Sequence, residues 1–186
     1  TFVCIVKICS NMGLLEMAAE IHAEIEKFKD NLLQENVVLA TAFVNMYAKC
    51  GKVEKARQIF DGISRRDVVT WSALISGYAQ HGYGQDALKC FNEMLNDGIL
   101  PDAITFTCVL KACGIIKALD KGKEIHLEID NNGYGQDLII SNALIDMYCR
   151  CGSISEAQKV FDKMPVRDVI SWTKVMTALA DQGLYK

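Results

Sequence analysis

Apolar residues in this chain recur at helical spacing, in pairs of short segments separated by glycine. Within residues 37–67, Tyr47 lies four residues beyond Phe43 and three beyond Val44, which marks one helix face. After Cys50-Gly51, a second stripe at the same spacing comprises Val53, Ala56, Ile59, Phe60 and Ile63. The pattern predicts two helices joined by a tight turn, and no alternating strand pattern competes with it.

This helix pair occurs twice in the chain, 101 residues apart. Residues 42–67 read AFVNMYAKCGKVEKARQIFDGISRRD, and residues 143–168 read ALIDMYCRCGSISEAQKVFDKMPVRD. A tryptophan follows each copy, as Trp71 and Trp172. Repeated helical units stack on one another because a single unit cannot bury its apolar face alone. The predicted fold is therefore all-α, an α-solenoid of antiparallel helix pairs.

The 101-residue period contains smaller units of two helices each, and their succession predicts one solenoid over residues 1–186. The predicted units are residues 1–36, 37–67, 68–102, 103–137, 138–168 and the start of another at 169–186. Residues 1–36 parallel residues 103–137 but carry three extra residues within 29–36. Since the chain opens without Met and both ends fall inside units, we expect a fragment of a longer protein.

Certain residues recur at equivalent positions in three of the units and predict packing roles. Small residues at helix crossings are Ala56, Ala87 and Ala157; core aromatics are Phe60, Phe91 and Phe161; turn glycines are Gly51, Gly82 and Gly152. The two tryptophans are likewise predicted to pack. Ser153 and Glu156 have the spacing of a capping box at the start of a second helix.

Charge and cysteine usage narrow the function. The net charge of −3 counts against a strongly electrostatic nucleic-acid binder. No run of about 18 uncharged apolar residues is present, so no membrane span is expected. Six of the eight cysteines fall in equivalent places, as Cys4 and Cys108, Cys9 and Cys113, and Cys50 and Cys151. This recurrence predicts reduced packing thiols, with no metal and no cofactor.

Residues 68–102, VVTWSALISGYAQHGYGQDALKCFNEMLNDGILPD, resemble the 35-residue pentatricopeptide repeat. The alternation of 31- and 35-residue units is similar to the plant PLS subclass, with 1–36 and 103–137 as L units, 37–67 and 138–168 as S units, and 68–102 and 169–186 as P units. The resemblance implies a right-handed superhelix. It also implies sequence-specific binding of single-stranded RNA in mitochondria or chloroplasts, at about one base per repeat.

By the same resemblance, the fifth residue of a unit hydrogen-bonds the base edge, and the last residue supports or modifies that contact. The implied pairs are Thr41 with Asp67, Ser72 with Asp102, Thr107 with Asp137 and Asn142 with Asp168, and the last unit supplies Thr173. The second residues, implied to pack on the base face, are Val38, Val69, Ile104, Ile139 and Ile170. Two alternatives stay open on the residues alone: the branched residues pack helix starts, and the polar ones are helix caps.

The resemblance implies a base order as well. Thr or Ser with Asp favours guanine and Asn with Asp favours uracil, so residues 37–168 are expected to prefer G-G-x-U. The third base is weakly specified, because the pairing rule is weak in L units. Changing Asp102→Asn is expected to move the second base towards adenine, since the amide can also donate. Lys49 and Arg150 share one place in the S units, where they either reach phosphate or face solvent.

Enzyme chemistry has little support. His22-Ala23-Glu24 and His126-Leu127-Glu128 match half of the zinc signature of the deaminase domains that often end PLS proteins, but neither has a CxxC partner. We expect a non-enzymatic RNA-recognition part of an organellar editing or processing factor, with helper proteins at the L units. The alternative is a protein-interaction scaffold with little RNA affinity of its own, which the acidic balance favours.

Overall fold

The computed structural model describes residues 2–28, 33 and 36–181, and it shows eleven α-helices over these residues. Their bounds are α1 Phe2–Met12, α2 Leu15–Phe28, α3 Val37–Lys49, α4 Val53–Asp61, α5 Val68–Gln80, α6 Gly84–Asn96, α7 Ala103–Ile116, α8 Leu119–Asn131, α9 Leu138–Arg150, α10 Ile154–Lys163 and α11 Val169–Asp181. The all-α prediction of paired helices is confirmed. Most of the predicted interruption at 29–36 lies outside the described residues, and the assignment of units to the L, S and P classes stays a prediction.

Polar caps fix where the first helix of each pair begins. Asn36, Asp67, Asp102 and Asp137 each accept a hydrogen bond from a backbone N–H of the following turn. Asp102 and Thr105 form a full capping box. The capping box predicted at Ser153 is wrong: its side chain makes no cap bond, and Glu156 instead pairs with Lys159 at 2.7 Å.

Left-handed residues end the first helices and turn the chain into the second ones. Gly51, Gly82 and Gly152 have φ between 75° and 84°, as their recurrence predicted. A glycine serves here because it has no Cβ to clash in this conformation. In α7 the same turn is made by Lys117, with φ 54°, whereas the equivalent residue after α1 is Gly13. Lys117 therefore carries a strain that its counterpart avoids.

The chain divides into two compact units, Thr1–Leu100 and Pro101–Lys186. In the first, α3 packs between α1 and α5, and α4 and α6 pair with α3 and α5. Its core centres on Phe43, Phe60 and Trp71, with the last two rings edge to face at 4.5 Å. A Cβ on Gly77 would lie 2.4 Å from Ala48 Cβ, so α3 and α5 cross at backbone contact.

The second unit repeats this arrangement. Helix α9 packs between α7 and α11, while α8 and α10 pair with α7 and α9. Phe106, Ile125 and Ile145 are fully buried, and Phe161 packs edge to face against Trp172 at 4.8 Å. Both tryptophans thus pack against the phenylalanine of the preceding repeat, but Trp71 is 1% exposed whereas Trp172 stays 52% exposed.

The cysteines form no disulfide in the described part of the chain, and their burial differs. Cys9, Cys90 and Cys113 are buried, whereas Cys4 is exposed and does not serve the packing role predicted for it. Burial raises the pKa of Cys90 to about 11 and that of Cys113 to about 12. Buried thiols with raised pKa values are poor nucleophiles and poor metal ligands, which fits a packing role for these two.

No helix among the described residues is long and apolar enough to cross a bilayer.

Candidate nucleic-acid interface

The second residue of each unit is an exposed branched apolar side chain. Val38, Val69, Ile104, Ile139 and Ile170 are between 56% and 68% exposed. Their next neighbours along the chain are buried: Leu39, Thr70, Thr105, Ile140 and Ser171. The alternative that the second residues pack the helix starts is therefore wrong, since the third residues do so instead. The same apolar surface is left open on five successive first helices.

In the first unit, two of these residues line one groove with a predicted base-edge pair. The groove has a volume of about 460 Å³, and Val38, Thr41, Asp67 and Val69 all line it. Further lining residues are Lys7, Ser10, Asn11, Ala42, Asn45 and Lys49. Two apolar side chains, a hydroxyl, a carboxylate and two cations thus surround a single space.

Thr41 and Asp67 are joined through a third residue, Thr70. Thr70 donates its hydroxyl proton to Asp67 Oδ1 at 2.7 Å, and the Thr41 and Thr70 hydroxyl oxygens lie 2.8 Å apart. Because a hydroxyl has one proton to give, Thr41 must be the donor to Thr70. Thr41 therefore donates its hydroxyl proton within the protein, and its oxygen can act only as a hydrogen-bond acceptor towards the groove.

Asn142 and Asp168 contact each other directly in the second unit. Asn142 Nδ2 lies 3.3 Å from Asp168 Oδ1 and 3.4 Å from Oδ2. Asn142 is 8% exposed, and its Oδ1 has no hydrogen-bond partner. A buried acceptor without a partner costs free energy, so it stands out as a position where a ligand donor would bind.

The charge of Asp168 fixes the orientation of that amide. The Ser171 backbone N–H, assisted by the Asn142 amide, lowers the pKa of Asp168 below its usual range. Asp168 is therefore ionised at neutral pH and can only accept. Asn142 must direct its nitrogen to Asp168, which leaves its buried Oδ1 as the unpaired atom of the amide.

The hydroxyls of Ser72, Thr107 and Thr173 donate to backbone carbonyls one turn back. The distances are 2.7 Å from Ser72 to Val68 O, 2.8 Å from Thr107 to Ala103 O and 2.6 Å from Thr173 to Val169 O. Such back-bonding uses the single hydroxyl proton, so these hydroxyls are not donors to a further group. The cap alternative is therefore wrong for these three fifth-place residues. The N-caps are the last-place residues Asp67, Asp102 and Asp137 instead.

Asp102 and Asp137 serve the helix starts. Asp102 Oδ1 accepts from Thr105 N at 2.8 Å and from Thr105 Oγ1 at 2.7 Å. Asp137 Oδ1 accepts from Ile139 N and Ile140 N, each at 2.9 Å. Within the second unit's described residues, no hydrogen bond joins Asp137 to Thr107, in contrast to the Asn142–Asp168 pair. Ser72 belongs to the first unit and Asp102 to the second.

Comparison with known proteins identifies the repeat. Models described as PPR repeat match residues 38–68 and 137–165, and one described as PPR repeat family matches residues 66–114. A chloroplastic pentatricopeptide repeat-containing protein of Arabidopsis thaliana is 37% identical over 98% of the chain. The chain belongs to the pentatricopeptide repeat family.

Other relatives and solved structures share the repeat. A mitochondrial pentatricopeptide repeat-containing protein of Arabidopsis thaliana is 34% identical over 99% of the chain. The chain spans 34% of the chloroplastic relative and 29% of the mitochondrial one. PPR10 in complex with an 18-nt psaJ RNA element superposes with a TM-score of 0.78, at 18% identity, over 97% of this chain and 27% of that one. PPR10 from maize superposes with a TM-score of 0.68, at 20% identity, over 95% of this chain and 25% of that one.

Sequence reasoning missed the hydroxyls at the third place of these pentatricopeptide repeats. The backbone N–H of Thr70, Thr105 and Ser171 donates to the carboxylate of the aspartate three residues earlier. The hydroxyls of Thr70 and Thr105 donate to the same carboxylates, whereas that of Ser171 donates to the Asp168 carbonyl oxygen. The spacing Asp-x-x-Ser or Asp-x-x-Thr was a usable signal, because it is the spacing of an N-cap pair. In the first unit this cap also links the aspartate to Thr41.

Lys174 was missed too. Its Nζ donates to Asn142 O at 2.9 Å and lies 3.6 Å from Asp146 Oδ1. Asp146 also accepts from Arg150 Nε at 2.7 Å. Lys174 occupies the sixth place of its repeat, where the other repeats have alanine or cysteine, and that contrast was visible in the sequence.

The histidines of the two HxE segments are bound inside the fold. His22 Nδ1 lies 3.1 Å from the Tyr47 hydroxyl, and His126 Nδ1 lies 2.8 Å from the Tyr148 hydroxyl. Burial lowers the pKa of both histidines. Among the described residues, no group of three or more His, Cys, Asp or Glu side chains is placed to hold a metal ion. The histidines therefore act as packing partners of the tyrosines.

Proposed function

We propose that this chain binds single-stranded RNA sequence-specifically, with about one base per repeat. The exposed branched side chains at the second places carry the proposal, because in each repeat an apolar residue stays in solvent at the start of the first helix, three residues before the polar fifth residue. A base has two apolar faces and a polar edge. This surface offers the matching partners in each repeat.

The groove of the first unit suits one base. Val38 and Val69 supply apolar walls, and their branched side chains lose little rotamer freedom on contact. Stacking on an aromatic side chain contributes about 1–3 kcal/mol per base, and an aliphatic wall contributes less. Affinity therefore accumulates over several repeats, while Thr41 and Asp67 choose the base.

Donor and acceptor positions support guanine at that repeat. Thr41 offers lone pairs because its proton goes to Thr70, and the Asp67 carboxylate accepts only. Guanine carries two adjacent donors on its Watson–Crick edge, N1–H and the N2 amino group. Adenine has an acceptor at N1, which would face the lone pairs of Thr41. For Ser72 and Asp102 the guanine preference rests on the family resemblance alone.

Uracil suits the repeat of Asn142. The free Oδ1 of Asn142 is an acceptor, and uracil presents a donor at N3–H. Cytosine has an unprotonated N3 at that place, so two acceptors would meet. The expected order over residues 37–168 is G-G-x-U, with little discrimination at the repeat of Thr107 and Asp137 because, among the second unit's described residues, no hydrogen bond joins those two. Thr173 would contact the following base.

We further propose that the chain is the recognition part of an organellar RNA editing or processing factor of the PLS subclass. The alternation of repeat lengths supports the subclass, and the relatives named as chloroplastic and mitochondrial support the compartment. Helper proteins at the L repeats are part of this proposal. PPR10, whose complex with an RNA element shares this fold, supports the ligand class.

A protein-interaction scaffold is the second candidate. The acidic balance favours it, and so does the exposed apolar face of α1, where Phe2, Ile5, Ile8 and Met12 are 41–67% exposed.

Binding at low salt to a short RNA containing G-G-A-U and to a scrambled RNA of the same composition separates the two functions. Preference for the matched RNA supports recognition. Equal, negligible binding to both would leave the scaffold.

A further inference from the structure

The 31-residue repeats shorten their second helix and keep the rest. Helices α4 and α10 have 9 and 10 residues, whereas α6 and α8 in the 35-residue repeats have 13. The first helices all have about the same length. Because this turn is missing, the loop between the second helix and the next repeat has less helix surface to pack against. That loop ends at the last-place aspartate.

An arginine occupies this place in both 31-residue repeats. Arg66 donates from Nε to Phe60 O and from Nη2 to Asp61 O, each at 3.2 Å. Its guanidinium carbon also lies 4.7 Å from the centre of the Phe60 ring. Arg66 thus binds the carbonyl end of the shortened helix and covers its core aromatic residue.

The arrangement recurs 101 residues later. Arg167 donates from Nε to Phe161 O at 3.0 Å and from Nη2 to Asp162 O at 2.9 Å, with its guanidinium 4.9 Å from the Phe161 ring centre. The next residue in each case is the aspartate, Asp67 or Asp168. The arginine, held by these contacts, is therefore bonded directly to the aspartate whose carboxylate is proposed to contact the base edge.

Neither 35-residue repeat has this arginine. In residues 68–102 a proline, Pro101, precedes Asp102, which has ψ 179°, whereas the repeat of residues 103–137 presents its aspartate differently. Gln136 precedes Asp137 and is exposed. Asp137 has ψ 126°, compared with 174° for Asp67, and its carboxylate accepts from Ile139 N and Ile140 N. In the 31-residue repeats the aspartate is linked to the fifth residue: Asp168 contacts Asn142 directly, and Asp67 is joined to Thr41 through Thr70.

We infer that Arg66 and Arg167 are positioning residues for base selection, each holding the carboxylate of the following aspartate in the geometry that discriminates between bases. The inference rests on the proposed RNA recognition. The guanidinium suits this role because its fixed fork bridges two carbonyl oxygens at once, which a lysine ammonium does not match.

The test compares base selectivity in two arginine variants of the whole chain. Fluorescence anisotropy is measured with short G-G-A-U RNAs that vary only at the first base or only at the last. R66Q is expected to lower the preference for guanine over adenine at the first base by about ten-fold and to leave the uracil preference at the last base unchanged. R167Q is expected to do the reverse, so each variant is the control for the other.

R65Q is the charge-matched control. Arg65 is exposed, and its loss removes the same positive charge one residue away. We expect it to weaken binding to all the RNAs alike without changing any ratio. Far-ultraviolet circular dichroism checks that each variant is folded; if R66Q or R167Q melts below the assay temperature, R66K and R167K take its place, with an intermediate ratio expected.

The outcomes separate this inference from the proposed function. If the unmodified chain shows no base preference at any position, the proposed RNA recognition is wrong. If it does prefer guanine and uracil but R66Q and R167Q keep both ratios, the arginines only stabilise the fold. A loss of both preferences in either single variant would also overturn the assignment, because it would indicate general distortion.

Discussion

At the scale of single residues, Lys117 shows how one repeat carries a strain that another avoids. It adopts φ 54°, where its counterpart in the first repeat is Gly13 with φ 68°. A side chain in this conformation costs about 1–2 kcal/mol. The 101-residue period is therefore a source of stabilising substitutions, since one copy shows which residue the other position accommodates best.

Lys117→Gly is expected to raise the free energy of unfolding by about 1 kcal/mol, after allowance for the greater freedom of glycine in the unfolded chain. Thermal melting monitored by circular dichroism measures the change. Lys111→Gly is the control, because Lys111 is exposed inside α7 and a glycine there is expected to lower stability by about 1 kcal/mol. Equal losses from both substitutions would show that Lys117 is not strained.

Asp67→Asn tests base choice at a single atom. The amide can donate as well as accept, so the first preferred base is expected to move from guanine towards adenine. Stability is expected to change little because asparagine caps helices nearly as well as aspartate. Binding to RNAs that differ at that base measures the effect, and Asp120→Asn, an exposed residue of α8, controls for charge. A uniform loss for every base would make Asp67 a cap alone.

At the scale of elements, the sequence was enough for the helices but not for the polar networks between them. Periodicity and the repeat predicted each helix pair, because burial of an apolar stripe dominates helix formation in proteins. The pair of Asn142 and Asp168 was also predicted. The link from Thr41 through Thr70 to Asp67 was not predicted, because it depends on how closely α3 and α5 approach. The exposure of Trp172 was not predicted either, because burial depends on neighbouring residues as well as on the residue type.

The crossing of α3 and α5 is a sensitive packing contact. A Cβ at Gly77 would lie 2.4 Å from that of Ala48, which forces the helices apart. Gly77→Ala is therefore expected to destabilise the chain by about 1–3 kcal/mol in denaturant unfolding. The double variant Ala48→Gly with Gly77→Ala restores the space and is expected to recover part of the loss. Additive losses in the double variant would argue against this contact.

The histidine–tyrosine pairs predict a response to acid. Burial lowers the pKa of His22 and His126 in the folded chain, so both are neutral near pH 7 in either state. As the pH falls below about 6.5, the unfolded chain takes up protons first and stability declines. The pKa of Asp168 is also lowered, but its contribution is lost only below about pH 4.

Chemical unfolding between pH 7.5 and 5 measures this response. The free energy of unfolding is expected to fall over that range, and less steeply when His22 and His126 are both replaced by glutamine. Glutamine keeps a polar group for each tyrosine but does not titrate. An unchanged slope in that double variant would mean that other groups cause the acid sensitivity.

At the scale of the whole molecule, charge limits affinity. The chain has a net charge of −3, and Lys7 and Lys49 are the cations that line the groove of the first unit. Neutralising phosphates releases counterions, so binding weakens as salt rises, with a slope of about −0.7 per phosphate for single strands. A short acidic array is therefore expected to bind weakly and to depend on low salt.

Lys49→Gln tests whether the groove cation meets phosphate. The variant is expected to bind every RNA more weakly by a similar factor and to reduce the slope of log affinity against log salt by about 0.7. Base preference is expected to stay the same, because a phosphate contact carries no sequence information. Lys52→Gln is the matched control, since Lys52 is exposed at the start of α4 and does not line the groove. Tight binding in 0.2 M salt, or an equal change of slope in both variants, would contradict a phosphate contact at Lys49 and leave the apolar walls and base edges to supply the affinity.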